Sequence, residues 1–179
     1  MELGLLVLRV IVGALFVGHG AQKLFGVLGG QGIPGTAAFF ERTGLRPGKV
    51  HAVAGGLAEL TGGLLLALGL VTPVAAVLLT AVMTAAILTV HMRNGVWSSN
   101  GGFEYNLVLI AVAFALAAVG AGAWSLDHVL GLHVAGVAWA LGALGVGVLG
   151  GFGAAVSSRL LPAEPAGQVG PPAGAEPAT

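Results

Sequence analysis

His19, Gln22 and Lys23 stand at i, i+3 and i+4 in the stretch FVGHGAQKLFG, at the end of a run that is otherwise apolar. That spacing puts all three side chains on one side of a helix. An imidazole, an amide and an ammonium on one face can exchange protons, donate hydrogen bonds to a carbonyl, or pair with a carboxylate. A second stripe follows at i, i+4, i+8 and i+11, with His51, Gly55, Glu59 and Gly62; Glu59 is its only charge. Thr80, Thr84, Ile87 and His91 form a third, running into HMRNG with Asn94, and Glu104, Tyr105 and Asn106 open a fourth apolar segment.

The elements that must position these groups are membrane helices. Of 179 residues, 56% are hydrophobic and 8% charged, against about 25% charged in a soluble domain. Mean hydropathy is +0.98. So little charge cannot clothe a globule in water, and the chain reads as an all-α integral membrane protein. Zero net charge removes the basic patch that nucleic-acid binding needs. The absence of cysteine excludes disulfides, thiolate metal sites and dithiol redox chemistry. Five apolar spans are predicted at about 3–25, 50–70, 74–92, 105–122 and 134–156, each near the ~20 residues a bilayer core requires. Together they make a bundle over 1–158. The first span lacks a basic leader and a small-x-small cleavage site, so it reads as a retained helix. Pro73 suits the first turn of the third. Gly142, Gly145 and Gly150 in the fifth suggest close packing on a neighbour.

Between the first two spans, 36–43 reads as a short interfacial helix capped by Thr36 and ended by Gly44, with Phe39 and Phe40 at the membrane surface and Arg42 and Arg46 toward water. The glycine-rich stretch before it has neither the preceding strand nor the lysine of a phosphate loop. Residues 159–179 are Pro/Gly/Ala-rich and are expected to be disordered. The side carrying the first loop, the third loop and the C-terminus holds Lys23, Arg42, Arg46, Lys49, Arg93 and Arg159, six of seven basic residues. The positive-inside rule then sets the N-terminus outside and the C-terminus in the cytoplasm.

At ~1.5 Å per residue, Glu59 falls near the midplane, and His19, Gln22, Lys23, His91, Glu104, Tyr105 and Asn106 share its half of the membrane. A charged group facing lipid there costs roughly 2.5–3.5 kcal/mol on insertion scales. The four stripes are therefore expected to meet in one polar pocket, with His19, Lys23, Glu59, His91 and Glu104 contiguous. Plainer readings stand beside this one. Lys23 and Arg93 can snorkel to headgroups, His51 and Tyr105 can be ordinary interfacial residues, and Thr80 and Thr84 can bond their own helix backbone. A structural bond can account for His19 and Glu59. No HxxxH or ExxH pair marks a metal site, so no metal is assigned. On the opposite side, Arg9 and Asp127 are expected to form a structural ion pair.

The stretches LRVIVGALFVGHGAQKLFG, GTAAFFERTGL, GGLAELTGGLLLALGLVTPVAA, ILTVHMRNGVW and GGFEYNLVLIAVAFAL, in that order from Leu5 to Leu130, resemble the DoxX family of small bacterial membrane proteins. The positions that match are Arg9, His19, Lys23, Glu59, His91, Asn94, Tyr105, Asn106 and Asp127. The resemblance implies a four-helix transmembrane bundle; the fifth span and the tail depart from that pattern. It also implies a redox-associated subunit that contacts quinone, because the family takes its name from a subunit associated with thiosulfate:quinone oxidoreduction. With no intrinsic cofactor, a partner subunit would carry the electrons. Two other readings remain open: a small solute transporter or channel using the polar pocket, and an assembly factor for another membrane protein. A homo-oligomer is compatible with each.

Overall fold

The computed structural model describes residues 1–160, with side chains to Ser157. It is helical, with α1 (Glu2–Phe25), α2 (Gly32–Thr43), α3 (Gly48–Leu68), α4 (Thr72–Ala86), α5 (Glu104–Val119), a short α6 (Leu126–Val129) and α7 (Val137–Leu160). Past Ala86, α4 widens into a π-helical turn, Ile87–His91, and closes on a 3-10 turn, Met92–Asn94. The tail assigned to 159–179 lies outside the described residues from 161 onward, while 159 and 160 continue α7.

Among the described residues, four helical stretches are long and apolar enough to cross a bilayer: Glu2–Phe25, Gly48–Leu68, Thr72–Asn94 and Val137–Ser157. The fifth predicted span is one of them. The fourth is the short one, because Gly120 and Gly122, at φ 92° and 83°, break the helix after Val119. Its 16 residues reach about 24 Å, less than the ~30 Å hydrocarbon core. The interfacial helix starts earlier than predicted, at Gly32, so Gln31 and not Thr36 is its N-cap. Pro34 fits its first turn, where no N–H is needed. Gly44 ends it at φ 90°, as predicted.

The helices order themselves as α1 on α3, α3 on α4, and α4 on both α5 and α7, with α2 laid across α3 and α1. Glycines set the first contact. A Cβ at Gly13 would lie 2.6 Å from the Gly63 carbonyl oxygen, and one at Gly20 would lie 2.6 Å from the Leu60 nitrogen, so the two backbones touch where side chains would normally stand. Val12, Phe16, Leu66, Leu79, Met83, Leu109 and Leu116 fill the space between α1, α3, α4 and α5. Ala76, Ala113, Ala117, Ala140 and Ala143 join α7 to α4 and α5.

The glycines that seat α7 are Gly147 and Gly151, whose Cβ positions fall on Thr80 and on the Ala81 carbonyl. Gly142 and Gly145 face open space instead, and Gly150 makes an ordinary contact with Ala81. Propensity shows that a helix tolerates glycine; it does not show which face meets a neighbour. Large apolar side chains such as Ile11, Leu57, Leu64, Val108 and Leu149 stay exposed around the bundle, as a lipid-facing surface requires. Trp124 and Trp139 lie toward one end and Trp97 and Tyr105 toward the other, where interfacial aromatic belts fall.

Candidate functional site

Toward the end that carries α2 and the 92–103 loop, the bundle opens into a cavity of about 490 Å³. Helices α1 to α5 and α7 all contribute to its wall, which is apolar over most of its area. His19 and Lys23 come from α1, His51 and Glu59 from α3, Thr89 and His91 from the π-helical turn, and Tyr105 and Asn106 from α5. Polar residues from four helix stretches thus share one wall. Gln22, Asn94 and Glu104 are not on it, although the sequence placed all three there.

The deepest polar feature is an ion pair between the Lys23 ammonium and the Glu59 carboxylate. Glu59 is buried, while Lys23 keeps 23% of its surface. Gly20 and Gly56 let the two helices approach closely enough for the pair to form. A Cβ at Gly56 would meet Leu24, and one at Gly20 would meet the Gly56 carbonyl.

Each histidine is held by a specific partner. His19 Nδ1 lies 3.2 Å from Gln22 Oε1, and the same amide donates from Nε2 to the Leu28 carbonyl at 2.9 Å. His91 Nδ1 lies 2.8 Å from the Gly101 carbonyl, which also accepts from Asn94 Nδ2 at 3.1 Å. His51 Nε2 lies 3.2 Å from the Arg46 carbonyl. Gln22 and Asn94 therefore act behind the wall, orienting loops and rings. Glu104 does likewise: its carboxylate accepts from the Ser98 amide at 2.9 Å and hydroxyl at 3.0 Å, closing the 98–104 turn. Asn106 is buried and donates to Met83 Sδ at 3.3 Å. Thr89 donates to the Ala85 carbonyl at 2.8 Å, the kind of bond expected of Thr80 and Thr84; Thr84 Oγ1 is buried without a partner among the described residues.

The sequence puts His51 on the Glu59 stripe but leaves it out of the pocket set, with an interfacial role as the plainer reading; it stands on the cavity wall. Phe39 and Phe40, expected at the membrane surface, also line the cavity, because α2 folds back across α3. Glu41 fixes that fold: it accepts from the Gly48 amide at 2.6 Å and pairs with Arg46 at 3.4 Å, capping α3 from outside. Gly150, Gly151 and Ala154 of α7 complete the wall.

At the opposite end the expected Arg9–Asp127 ion pair does not form. The Arg9 guanidinium donates to the carbonyls of Ala67 and Trp124. Asp127 accepts from the Val71 amide at 2.7 Å and from the Thr72 hydroxyl and amide at 2.8 and 3.2 Å. The physical reason is competition from helix ends. Ala67 is at the C-terminus of α3, where carbonyls lack partners, and Val71–Thr72 opens α4, where amides do. Val71 sits at φ 41°, a conformation costly for a β-branched residue, and the Asp127 carboxylate holds it there. Both charges fasten the same corner through backbone groups.

Among the described residues no group of three His, Asp or Glu side chains is placed to hold a metal ion. A largely apolar cavity of this size with a few polar groups on its wall has the form of a small-molecule site. It could seat an apolar ring and offer that ring's oxygens an ammonium, imidazoles and a phenol.

The DoxX family model matches residues 4–92. The chain is 36% identical over 115 residues to a Bacillus subtilis (strain 168) protein named "Putative oxidoreductase CatD", covering 64% of this chain and 79% of that protein. It is 32% identical over 131 residues to "Uncharacterized membrane protein Rv3486" of Mycobacterium tuberculosis (strain H37Rv), covering 68% of this chain and 77% of that one. No solved structure matches the chain at a significant level.

Proposed function

The chain belongs to the DoxX family of membrane proteins, and from that premise we propose that it is a redox-associated subunit whose cavity takes the ring of a lipid-soluble quinone. The observation that carries this reading is the cavity: about 490 Å³, largely apolar, with His19, Lys23, His51, Glu59, His91 and Tyr105 on its wall. Apolar walls suit the ring and its tail, and the polar groups suit its oxygens. The oxidoreductase name of the Bacillus relative agrees with this class. The chain has no cysteine, so electrons reach or leave the ring through a partner subunit. The basic residues Arg42, Arg46, Lys49 and Arg93 near the cavity's end support a reading in which that end faces the cytoplasm of a bacterial plasma membrane and the N-terminus lies outside.

The test is photolabelling of the purified protein with an azido-quinone, followed by peptide mapping. Label is expected within 19–23, 51–59 and 89–106, and should be competed by unlabelled quinone. Label confined to the outward face of α7, or indifferent to competitor, would refute the proposal.

A further inference from the structure

The hydrogen bonds behind the cavity wall fix which protons its polar groups have left. A carbonyl oxygen only accepts, so the ring nitrogen facing it must carry hydrogen. His91 Nδ1 faces the Gly101 carbonyl and His51 Nε2 faces the Arg46 carbonyl. His19 reaches the same state through one more step. Gln22 turns its NH₂ to the Leu28 carbonyl, which leaves its oxygen toward His19 Nδ1 and makes that nitrogen the donor. No ion pair holds any of these imidazoles; those among the described residues are Lys23–Glu59 and Arg46–Glu41. In the neutral imidazole the second nitrogen then carries a lone pair. That nitrogen makes no hydrogen bond among the described residues, and all three histidines line the cavity, so it is open to an occupant there.

Two further wall residues are spent in the same sense. Thr89 donates its hydroxyl hydrogen to the Ala85 carbonyl, and Asn106 turns its NH₂ toward Met83 Sδ. Each is left with oxygen lone pairs. Against these five acceptors, protons remain on the Tyr105 hydroxyl, on the second N–H of the Asn106 amide and on the Lys23 ammonium, whose first claim is Glu59.

We infer that the cavity selects an occupant that donates hydrogen bonds: the hydroxyl-bearing reduced ring in preference to the carbonyl-bearing oxidised one. A quinone carbonyl would leave the imidazole lone pairs facing another acceptor. A hydroquinone satisfies an imidazole with each hydroxyl and can still accept from Lys23 or Tyr105. His19 is exposed and His51 and His91 are half-buried; once an occupant covers them, polar groups left unpaired are what give such a site its discrimination. Three lone pairs could also suggest a metal ion, but the histidines are not grouped to hold one among the described residues. This inference takes its ring from the quinone reading above, and its test separates the two.

The purified protein in detergent is titrated calorimetrically with two probe pairs. The first is a decyl-substituted hydroquinone and the matching quinone; the second is 4-octylphenol and 4-octylanisole, which differ only in the hydroxyl hydrogen. The hydroquinone and the phenol are each expected to bind at least tenfold more tightly than their partners. Replacing His19, His51 or His91 singly by phenylalanine keeps a ring and removes the lone pair. At least one of these variants should lose the preference while binding the anisole within twofold of wild type. Equal affinity within each pair, or a tighter quinone, overturns the inference and leaves the quinone-site reading standing. Selection of the phenol with no binding of either decyl compound overturns the quinone reading and keeps the acceptor array. Failure of all four probes removes both.

Discussion

Replacing Gly20 by alanine tests whether the cavity's polar wall depends on the close approach of α1 and α3. The added Cβ would sit 2.6 Å from the Leu60 nitrogen, 2.7 Å from the Gly56 carbonyl oxygen and 2.9 Å from the Leu60 Cα. All three are backbone atoms, so no side-chain rotation relieves the clash. Reaching even a close carbon–oxygen contact of about 3.3 Å moves the helices apart by roughly 0.6 Å. Overpacking costs about 1–3 kcal/mol, and a clash against backbone belongs at the upper end. Alanine's better helix propensity returns about 1 kcal/mol, leaving a loss of about 2 kcal/mol. For a chain of this size that lowers the melting temperature by roughly 4–8 °C. Because the separation falls beside His19 and Glu59, the Lys23–Glu59 pair should loosen and quinol binding weaken with it. Gly145→Ala is the control. Nothing lies within 4 Å of its Cβ position, so only the propensity gain of about 1 kcal/mol remains, raising the melting temperature by roughly 2–4 °C. Both variants are melted in one detergent by intrinsic tryptophan fluorescence. Equal or inverted shifts would refute the packing argument.

The Lys23–Glu59 pair calls for a double-mutant cycle: Glu59→Leu or Lys23→Met alone should cost about 3 kcal/mol by leaving one charge unpaired, while the double variant recovers most of it. Additive losses in the thermal melts would mean the pair is not coupled. Arg9→Lys should destabilise by about 1.5–3 kcal/mol, since a single ammonium cannot reproduce the fork across the Ala67 and Trp124 carbonyls. Exchanging the charges (Arg9→Asp with Asp127→Arg) should express no better than either single variant; rescue by the exchange would restore the direct pair that the geometry denies. With no native cysteine, Ser98→Cys should react with a membrane-impermeant maleimide only from the cytoplasmic side, and Ala123→Cys only from outside. The opposite pattern would invert the topology.

The spans were legible because a bilayer demands long apolar runs, and the polar stripes because helical periodicity survives in sequence. What sequence could not give was the choice of partner. Arg9 and Asp127 looked complementary to each other, yet each went to the free backbone groups of a helix end. In lipid an unsatisfied amide or carbonyl costs several kcal/mol, so those groups take the direct hydrogen bonds and leave the nearby countercharge to act only through space. Gly142 and Gly145 looked like packing sites, but Gly147 and Gly151 share the face of Ala140 and Ala143 and meet α4. The periodicity was present; the identity of the buried face was not. Gln22, Asn94 and Glu104 were found as polar residues at the right depth, and only the geometry shows them as supports: of His19, of the Gly101 carbonyl that meets His91, and of the 98–104 turn.

The outer half of the bundle bears on which kind of traffic the cavity can serve. Beyond Glu59, the space between α1, α3, α4 and α5 is occupied by Val12, Leu66, Leu79 and Leu116, all buried. Past them, Arg9 and Asp127 tie α1, α3, α4 and the 120–127 loop into one corner through backbone bonds. A conduit for a polar solute would need acceptors and donors along its whole length, because each desolvated polar group must be matched. Here the polar wall stops at the Lys23–Glu59 pair and the packed core begins. An occupant therefore enters and leaves on the same side as the histidines. That suits a ring exchanging between the lipid phase and a partner at the basic face better than it suits a solute crossing the membrane.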